Sequence, residues 1–235
     1  MPIQDFIAKI AKGPKVSKDL TWDESKQVMK LLIEGQATQA QIGAFLMAMR
    51  FKMESVSELA AFTAAARAYV SPLSIPKELA VVDVPSYAGK SETFHSLIAG
   101  AIVAASAGAA IVMHGYDGIP GRPGAAGVLK ALGIPIDLDP KMAGGEVTTK
   151  KFVYLDIGMY HPPLYRFLEM RQEIGVRNLF HPVARLLNPS RAAAQVVGLS
   201  HPPHFEKTAE VLRMLGCPRA LVIRGVEGDP ELSVT

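Results

Sequence analysis

Between Val81 and Gly133 the chain reads VVDVPSYAGKSETFHSLIAGAIVAASAGAAIVMHGYDGIPGRPGAAGVLKALG, and no other stretch constrains the fold as much. A short β-rich apolar run, Val81 to Val84, stops at Pro85, and a polar loop, Ser86 to Glu92, follows. An alanine-rich segment, Thr93 to Ala107, is long enough for a helix and ends at Gly108. A second apolar run, Ala109 to Met113, leads into His114-Gly115. A loop holding Gly118, Pro120, Gly121, Pro123 and Gly124 then precedes a short helix, Ala125 to Leu132, closed by Gly133. Strand, loop and helix in repetition predict a parallel sheet. Ligands of such sheets sit beyond the carboxyl ends of the strands, so the loops after Val84 and after Met113 are the expected site.

The rest of the chain supplies a different texture. Residues 1 to about 70 read as helices. Thr21 with Glu24, and Ser55 with Glu58, are capping-box pairs. Val28, Leu31 and Leu32 follow the first pair, and Leu59, Phe62 and Ala66 follow the second. Ile42, Phe45, Leu46 and Met49 have the spacing of one buried helical stripe. Ser71 to Ala80, with Pro72 and Pro76, reads as a linker. Further along, Ile134 to Ile136 is expected as a short strand, Asp137 to Thr149 as loop, and Phe152 to Leu155 as strand. Leu164, Phe167 and Leu168 give a helical stripe. Ala194 to Leu199, Phe205 to Leu215 and Arg219 to Ile223 predict one more strand, helix and strand.

Composition narrows the function classes. A length of 235 residues with 49% hydrophobic and 20% charged residues suits one or two soluble domains with a full core. The net charge of +3 permits an anionic ligand without requiring nucleic acid. A single cysteine, Cys217, rules out an internal disulfide framework and fits a reducing cytosol, so a cytoplasmic location is expected. The N-terminal MPIQDFIAKIAKGPKV has no apolar signal-like core. The one long uncharged run, Ser96 to Met113, reads as a buried helix entering a buried strand rather than a membrane span. His201 and His204 form a close pair, but no cysteine or carboxylate cluster beside them suggests zinc.

Three blocks carry a family resemblance: HGYDGIPGRPGAAGVLKALG, then HPPLYRFLEMRQEIGVRNLFHPVARLLNP from His161 to Pro189, then LGCPRALVIRGVEGDPELS from Leu215 to Ser233. With a looser match over the first 70 residues, nearly the whole chain resembles anthranilate phosphoribosyltransferase and its relatives in glycosyltransferase family 3. The VPSYxG-type loop and the MRxxxGVRN run are most similar to a non-biosynthetic branch whose members are thought to bind nucleic acid. The resemblance implies an α/β fold with a small N-terminal helical domain and a larger α/β domain built on a mostly parallel sheet. It implies a helical domain of residues 1–72 joined by a returning segment 160–188. It also implies an α/β domain of 81–159 and 189–235, incomplete at Thr235, and a homodimer through the helical domain.

The family's chemistry is transfer of phosphoribose from its pyrophosphate to an aromatic amine. Such transfer needs amides that wrap a pyrophosphate and carboxylates that hold magnesium. The family's GTGGDG loop is replaced here by Pro85-Ser86-Tyr87-Ala88-Gly89-Lys90. Proline removes an amide donor, and Tyr87 brings a bulky ring where backbone must approach closely. The N-x-S-T segment is replaced by His95-Ser96-Leu97-Ile98, and KHGNR by Met113-His114-Gly115-Tyr116-Asp117. Lys90, Ser91, Thr93 and His95 stand at the start of the expected helix, which still suits an anion; the other reading is a capped buried helix behind an ordinary loop. Ser86, Gly89, His114, Gly115 and Arg122 complete the expected anion-binding set, with His114 equally readable as a structural histidine. Arg171, which keeps the family's spacing from His161-Pro162, and Arg177 are expected at an acceptor or polyanion site; the alternative for Arg171 is an ion pair with Glu173 or Glu169. In the family's magnesium motif Pro230 replaces the aspartate, Asp229 is displaced by one residue, and Glu231 is the expected metal ligand. No catalytic residue is singled out. The expected function is binding of DNA, RNA or another phosphate-rich ligand with no cofactor required; the alternative is the transferase, with Mg2+.

Overall fold

The computed structural model describes residues 1–13 and 16–231; Leu232 and Ser233 of the last resembling block lie outside them. The chain opens with four helices, α1 (Ile3–Ile10), α2 (Trp22–Ile33), α3 (Gln39–Lys52) and α4 (Val56–Ala66), and a 3-10 turn, Arg67–Tyr69. Both expected capping boxes form, and a third, Thr38 with Gln41, opens α3. Each box satisfies amides that a helix start would leave without partners. Glu58 does more than cap. It is fully buried, accepts from the amides of Ser55 and Leu20 (both 2.8 Å), and takes Lys52 Nζ at 2.7 Å. The Ile42, Phe45, Leu46 and Met49 stripe is buried as expected.

The second part comprises β1 (Val81–Ser86), α5 (Ser96–Ser106), β2 (Ala110–Gly115), α6 (Ala125–Ala131), α7 (Ala143–Lys150), β3 (Phe152–Asp156) and α8 (Ile157–Tyr160). It continues with α9 (Pro162–Ile174), α10 (Phe180–Arg185), β4 (Ala194–Leu199), α11 (Pro203–Met214) and β5 (Arg219–Arg224). The strands form one sheet in the order β3-β2-β1-β4-β5, every pairing parallel. The central strands β1 and β2 are covered on both faces, which explains their unbroken apolar runs. One apolar cluster joins the helices to one face of the sheet, from Phe6 and Phe62 through Leu168 and Phe180 to Val112 and Val153. A second cluster, with Val84, Ile98, Met113 and Leu129, lies on the other face.

The segment after β3 returns to the helices. Tyr160 O accepts from Ser71 N at 2.9 Å, His161 Nε2 meets Ala66 O at 3.0 Å, and Arg67 Nε donates to Leu187 O at 2.7 Å. Phe167 and Phe180 stack at 4.5 Å between centroids.

Four local expectations are corrected. β1 runs on through Pro85 and Ser86, which pair with His114 and Gly115; the ladder to β4 extends only to Asp83, so Pro85 breaks nothing on that side. Helix α5 begins at Ser96 rather than Thr93, because residues 91–93 spend their amides on a distant carboxylate. Ile134 to Ile136 forms no strand. The expected loop 137–149 contains a 3-10 turn, Pro140–Met142, capped by Asp139, and then α7. The glycines of α7 concealed that helix. A Cβ on Gly144 would stand 2.0 Å from Ser74 O, so glycine serves close packing against the linker there.

Candidate anion-binding site at the carboxyl ends of the strands

The loop 86–96 after β1 meets the segment 227–231 after β5. Glu227 lies in a nest of donors. Its Oε1 accepts from Ser91 N (2.8 Å) and Ser91 Oγ (3.0 Å); its Oε2 accepts from Thr93 Oγ1 (2.6 Å), Thr93 N (2.9 Å) and Glu92 N (3.3 Å). Arg122 Nη2 adds a charged contact to Oε1 at 3.0 Å and also donates to Gly89 O at 3.0 Å. Burial pushes the Glu227 carboxyl upward, but the bonds from Thr93 and Ser91 outweigh it and hold the group well below the usual carboxylate range. Gly89 makes the crossing possible. Its φ is +64°, and a Cβ would stand 2.5 Å from Arg122 O.

Two further carboxylates complete the array. Glu231 takes Lys90 Nζ at 2.6 Å and Ser96 Oγ at 2.5 Å, with Lys90 itself 3% exposed. Asp229 is buried beside Ser86 Oγ, 3.3 Å from each oxygen. Burial raises the Asp229 carboxyl, while Lys90, Arg185 and His95 pull it down. His95 Nδ1 stands 3.9 Å from Asp229, and its Nε2 meets Pro123 O at 3.0 Å.

The structure therefore gathers Ser86, Gly89, Lys90, Ser91, Thr93, His95 and Arg122 into one cluster, facing carboxylates of the same chain. His114 and Gly115 are placed differently. Gly115 ends β2 opposite Ser86. His114 is fully buried one layer below: Nδ1 meets Tyr87 Oη (2.9 Å) and Tyr160 Oη (3.0 Å), and Nε2 faces Asp83, whose Oδ2 also accepts from Gln195 at 2.8 Å. Tyr87 turns its ring inward to this network, 3% exposed, so it does not fill the loop. Asp117, after β2, accepts from Gly127 N at 3.2 Å and serves the start of α6.

Arg171 lies in the last turn of α9 and Arg177 just beyond that helix, outside the 86–96 cluster. Arg171 pairs with neither Glu169 nor Glu173; Glu169 instead takes the Tyr116 hydroxyl and Gln172. One Arg171 nitrogen, Nη1, is buried without a partner. Burial and the neighbouring Arg185 and Arg171 depress Arg177 to about 10. Sequence reasoning missed Glu227, which stands in a quoted motif but pairs across the fold, and Arg185, whose position in a helix gave no signal.

As a metal site, the 227–231 segment offers hard oxygens. Among the described residues no cluster of three or more His, Cys, Asp or Glu forms. Magnesium is commonly held by one or two carboxylates together with substrate phosphates, and Glu231 with Asp229 fits that smaller requirement. No helix among the described residues is long and apolar enough to cross a membrane.

Residues 4–70 match the helical bundle domain of the glycosyl transferase family, and residues 80–235 match its α/β domain. The chain is 36% identical over 234 residues to anthranilate phosphoribosyltransferase of Persephonella marina, covering 99% of this chain and 68% of that protein. It is 36% identical over 231 residues to the Methanocorpusculum labreanum protein of the same name, covering 98% and 68%. The crystal structure of the Thermus thermophilus enzyme superposes with a TM-score of 0.83 at 29% identity, over 99% of this chain and 68% of that one. The Saccharomyces cerevisiae enzyme in complex with PRPP and Mg shares the fold, with a TM-score of 0.82 at 17% identity, over 97% and 67%. From the order of its two domains and the extent of these similarities, the chain belongs to glycosyl transferase family 3, among proteins of the anthranilate phosphoribosyltransferase type.

Proposed function

We propose that the chain is a phosphoribosyltransferase-type protein, moving phosphoribose from phosphoribosyl pyrophosphate to an aromatic amine or base. The observation that carries the reading is the facing of two complete arrays: anion donors on 86–96 with Arg122, and carboxylates on 227–231. A pyrophosphate presents to the donors the same kind of oxygens that Glu227 and Glu231 present now, so ligand binding exchanges partners instead of creating a site afresh. In transfer, the acceptor nitrogen forms a bond to the anomeric carbon, the bond from that carbon to the pyrophosphate oxygen breaks with its electron pair leaving on the pyrophosphate, and the nitrogen's proton passes to solvent. Ser91, Thr93, Lys90 and Arg122 stabilise the negative charge that grows on the leaving pyrophosphate. Mg2+, when bound, supplies charge neutralisation on the phosphates, with Glu231 and Asp229 as its protein ligands.

A second reading, binding of DNA, RNA or another polyanion in the manner of the non-biosynthetic branch, is favoured by Arg171 and Arg177, whose side chains pair with none of the described residues. Phosphate contacts of that kind are salt-sensitive and largely independent of sequence. Two measurements separate the readings. Magnesium-dependent release of pyrophosphate with anthranilate or another aromatic amine supports the transferase, and its absence over a panel of acceptors sinks it. Salt-sensitive titration of a single-stranded oligonucleotide supports the second, and binding that ignores salt removes it. Homodimerisation through the helical part belongs to the same proposal; Phe51 at the end of α3 is 78% exposed there, and sedimentation of wild type against Phe51→Glu reads it.

A further inference from the structure

A cavity of about 190 Å³ lies between the helical part and the sheet. Arg50 of α3, Tyr87 after β1, Arg177, His181 and Arg185 around α10, and Lys207 of α11 line it. Lys207 is paired with Glu54 at 2.7 Å. The three arginines are not: among the described residues none forms a hydrogen bond or ion pair with its side chain. Arg185 is half-buried, and Arg50 and Arg177 are more exposed. Asp229 reaches Arg185 only through its field.

A second observation points the same way. His181 is 8% exposed; its Nδ1 faces Asn178 at 3.3 Å, and its Nε2 is buried with no partner. Nδ1 stands 3.3 Å from the Asn178 amide, from which it accepts in one tautomer, and 3.3 Å from Asn178 O and Oδ1, to which it donates in the other. An anion in the cavity selects the first, which puts the ring proton on Nε2, an unused polar atom in the cavity wall. Burial, then Arg177 and Arg171, depresses His181 to about 3, so the ring is neutral. Charges drawn partly out of water ordinarily have partners, and like charges gathered without them work against folding. Groups held at such a cost recur at functional sites.

We propose that this cavity is an oxyanion site, separate from the 86–96 loop, that takes a compact multivalent oxyanion of the phosphate-monoester class. Arg177 and Arg185 clamp the anion, Arg50 closes the mouth, and His181 Nε2 donates one neutral hydrogen bond. The charge count selects the class: a monocarboxylate leaves two of three guanidiniums unmatched, whereas a phosphate dianion balances most of them and offers several acceptors in guanidinium geometry. The size agrees, since drug-sized ligands need roughly 300 Å³ or more. The site stands whether or not the chain transfers phosphoribose.

The test is calorimetric titration and thermal unfolding in phosphate-free buffer. Inorganic phosphate and ribose 5-phosphate are the probes, benzoate is the monoanion control, and a short oligonucleotide is the polymer control. Arg177→Gln, Arg185→Gln and Arg50→Gln are compared with wild type and with Glu227→Gln. The expected result is binding of phosphate or ribose 5-phosphate that each arginine variant weakens about tenfold or more and Glu227→Gln leaves intact. Tighter binding of ribose 5-phosphate identifies a sugar phosphate as the source, and equal binding identifies free phosphate. Without ligand, Arg177→Gln and Arg185→Gln are expected to melt at or above the wild-type temperature, because repulsion is relieved. The proposal is overturned if the arginine variants leave phosphate binding unchanged, if benzoate binds as well, or if only the oligonucleotide binds. It is equally overturned if Arg177→Gln and Arg185→Gln both melt lower without ligand, which marks a structural role, or if Glu227→Gln abolishes the binding.

Discussion

Replacing Glu227 by glutamine removes one negative charge from the nest at residues 91–93 and changes almost no volume. The glutamine oxygen can keep the Oε1 side, accepting from Ser91 N, Ser91 Oγ and Arg122. Its NH2 group then faces the amides of Glu92 and Thr93, which are donors too, and the Thr93 hydroxyl must turn round to accept. Hydrogen bonds to charged groups are worth about 1.5–3 kcal/mol each when buried, but these loop donors are exposed and water replaces the lost partner in part. The net loss is therefore set at about 2 kcal/mol, or a fall in melting temperature of roughly 4–8 °C for a chain of this size. The sign with pH follows from the depressed carboxyl. Its folded-state pKa lies below the ordinary value of 4.5, so its contribution is full above that pH and is lost as pH falls toward the folded value. Calorimetric melting of wild type and E227Q across neutral to acidic pH in phosphate-free buffer reads both effects. A difference under about 1 °C at neutral pH, or a gap that does not narrow on acidification, refutes the claim that the loop is held by this carboxylate.

Glu58→Gln leaves the buried Lys52 with the exposed Asp19 as its one carboxylate partner among the described residues, beside the Met53 carbonyl; urea unfolding is expected to show a loss of about 3 kcal/mol. Tyr87→Phe strips a hydroxyl from the buried His114 and Tyr160 network and is expected to cost about 1–3 kcal/mol by the same measurement. His181, depressed to about 3 by burial and then by Arg177 and Arg171, stays neutral in the folded protein while the unfolded ring titrates near 6.5. Stability attributable to it is full above that value and falls with pH below it, by about 2 kcal/mol between pH of about 7.5 and about 5, and His181→Gln flattens that slope in urea midpoints. Gly89→Ala, at φ +64° with Arg122 O in the path of its Cβ, is expected to displace the 86–96 loop and lower the melting temperature.

Much of the architecture is written locally. Thr21 with Glu24 and Ser55 with Glu58 start helices where the residue types dictate, because a cap needs only atoms three residues apart. The apolar runs at Val81 and Ala110 announce buried parallel strands, and the site follows at their carboxyl ends. Where local signals conflict, packing decides. The glycines of α7 read as loop, yet that helix forms against the linker, and Ile134 and Ile136 pack their side chains on the second apolar cluster without pairing as a strand.

The site divides along the same line. Lys90, Ser91, Thr93 and Arg122 are legible as an anion-binding set from residue type and loop position. That their partners are Glu227 and Glu231, more than a hundred residues away, is decided by the sheet order that places β1 between β2 and β4 with β5 beyond. His114 is a histidine in a loop motif by sequence, and a fully buried member of a hydrogen-bond network in the fold. Arg177 is read from the sequence as an acceptor or polyanion residue, whereas Arg185 is an ordinary helical arginine until the helical part and the sheet close a cavity around both. Chain-local chemistry determines which groups can donate, accept or carry charge. Only the tertiary structure determines which of them meet a partner and which are left to find one, because partnership depends on distances that the order of residues does not contain.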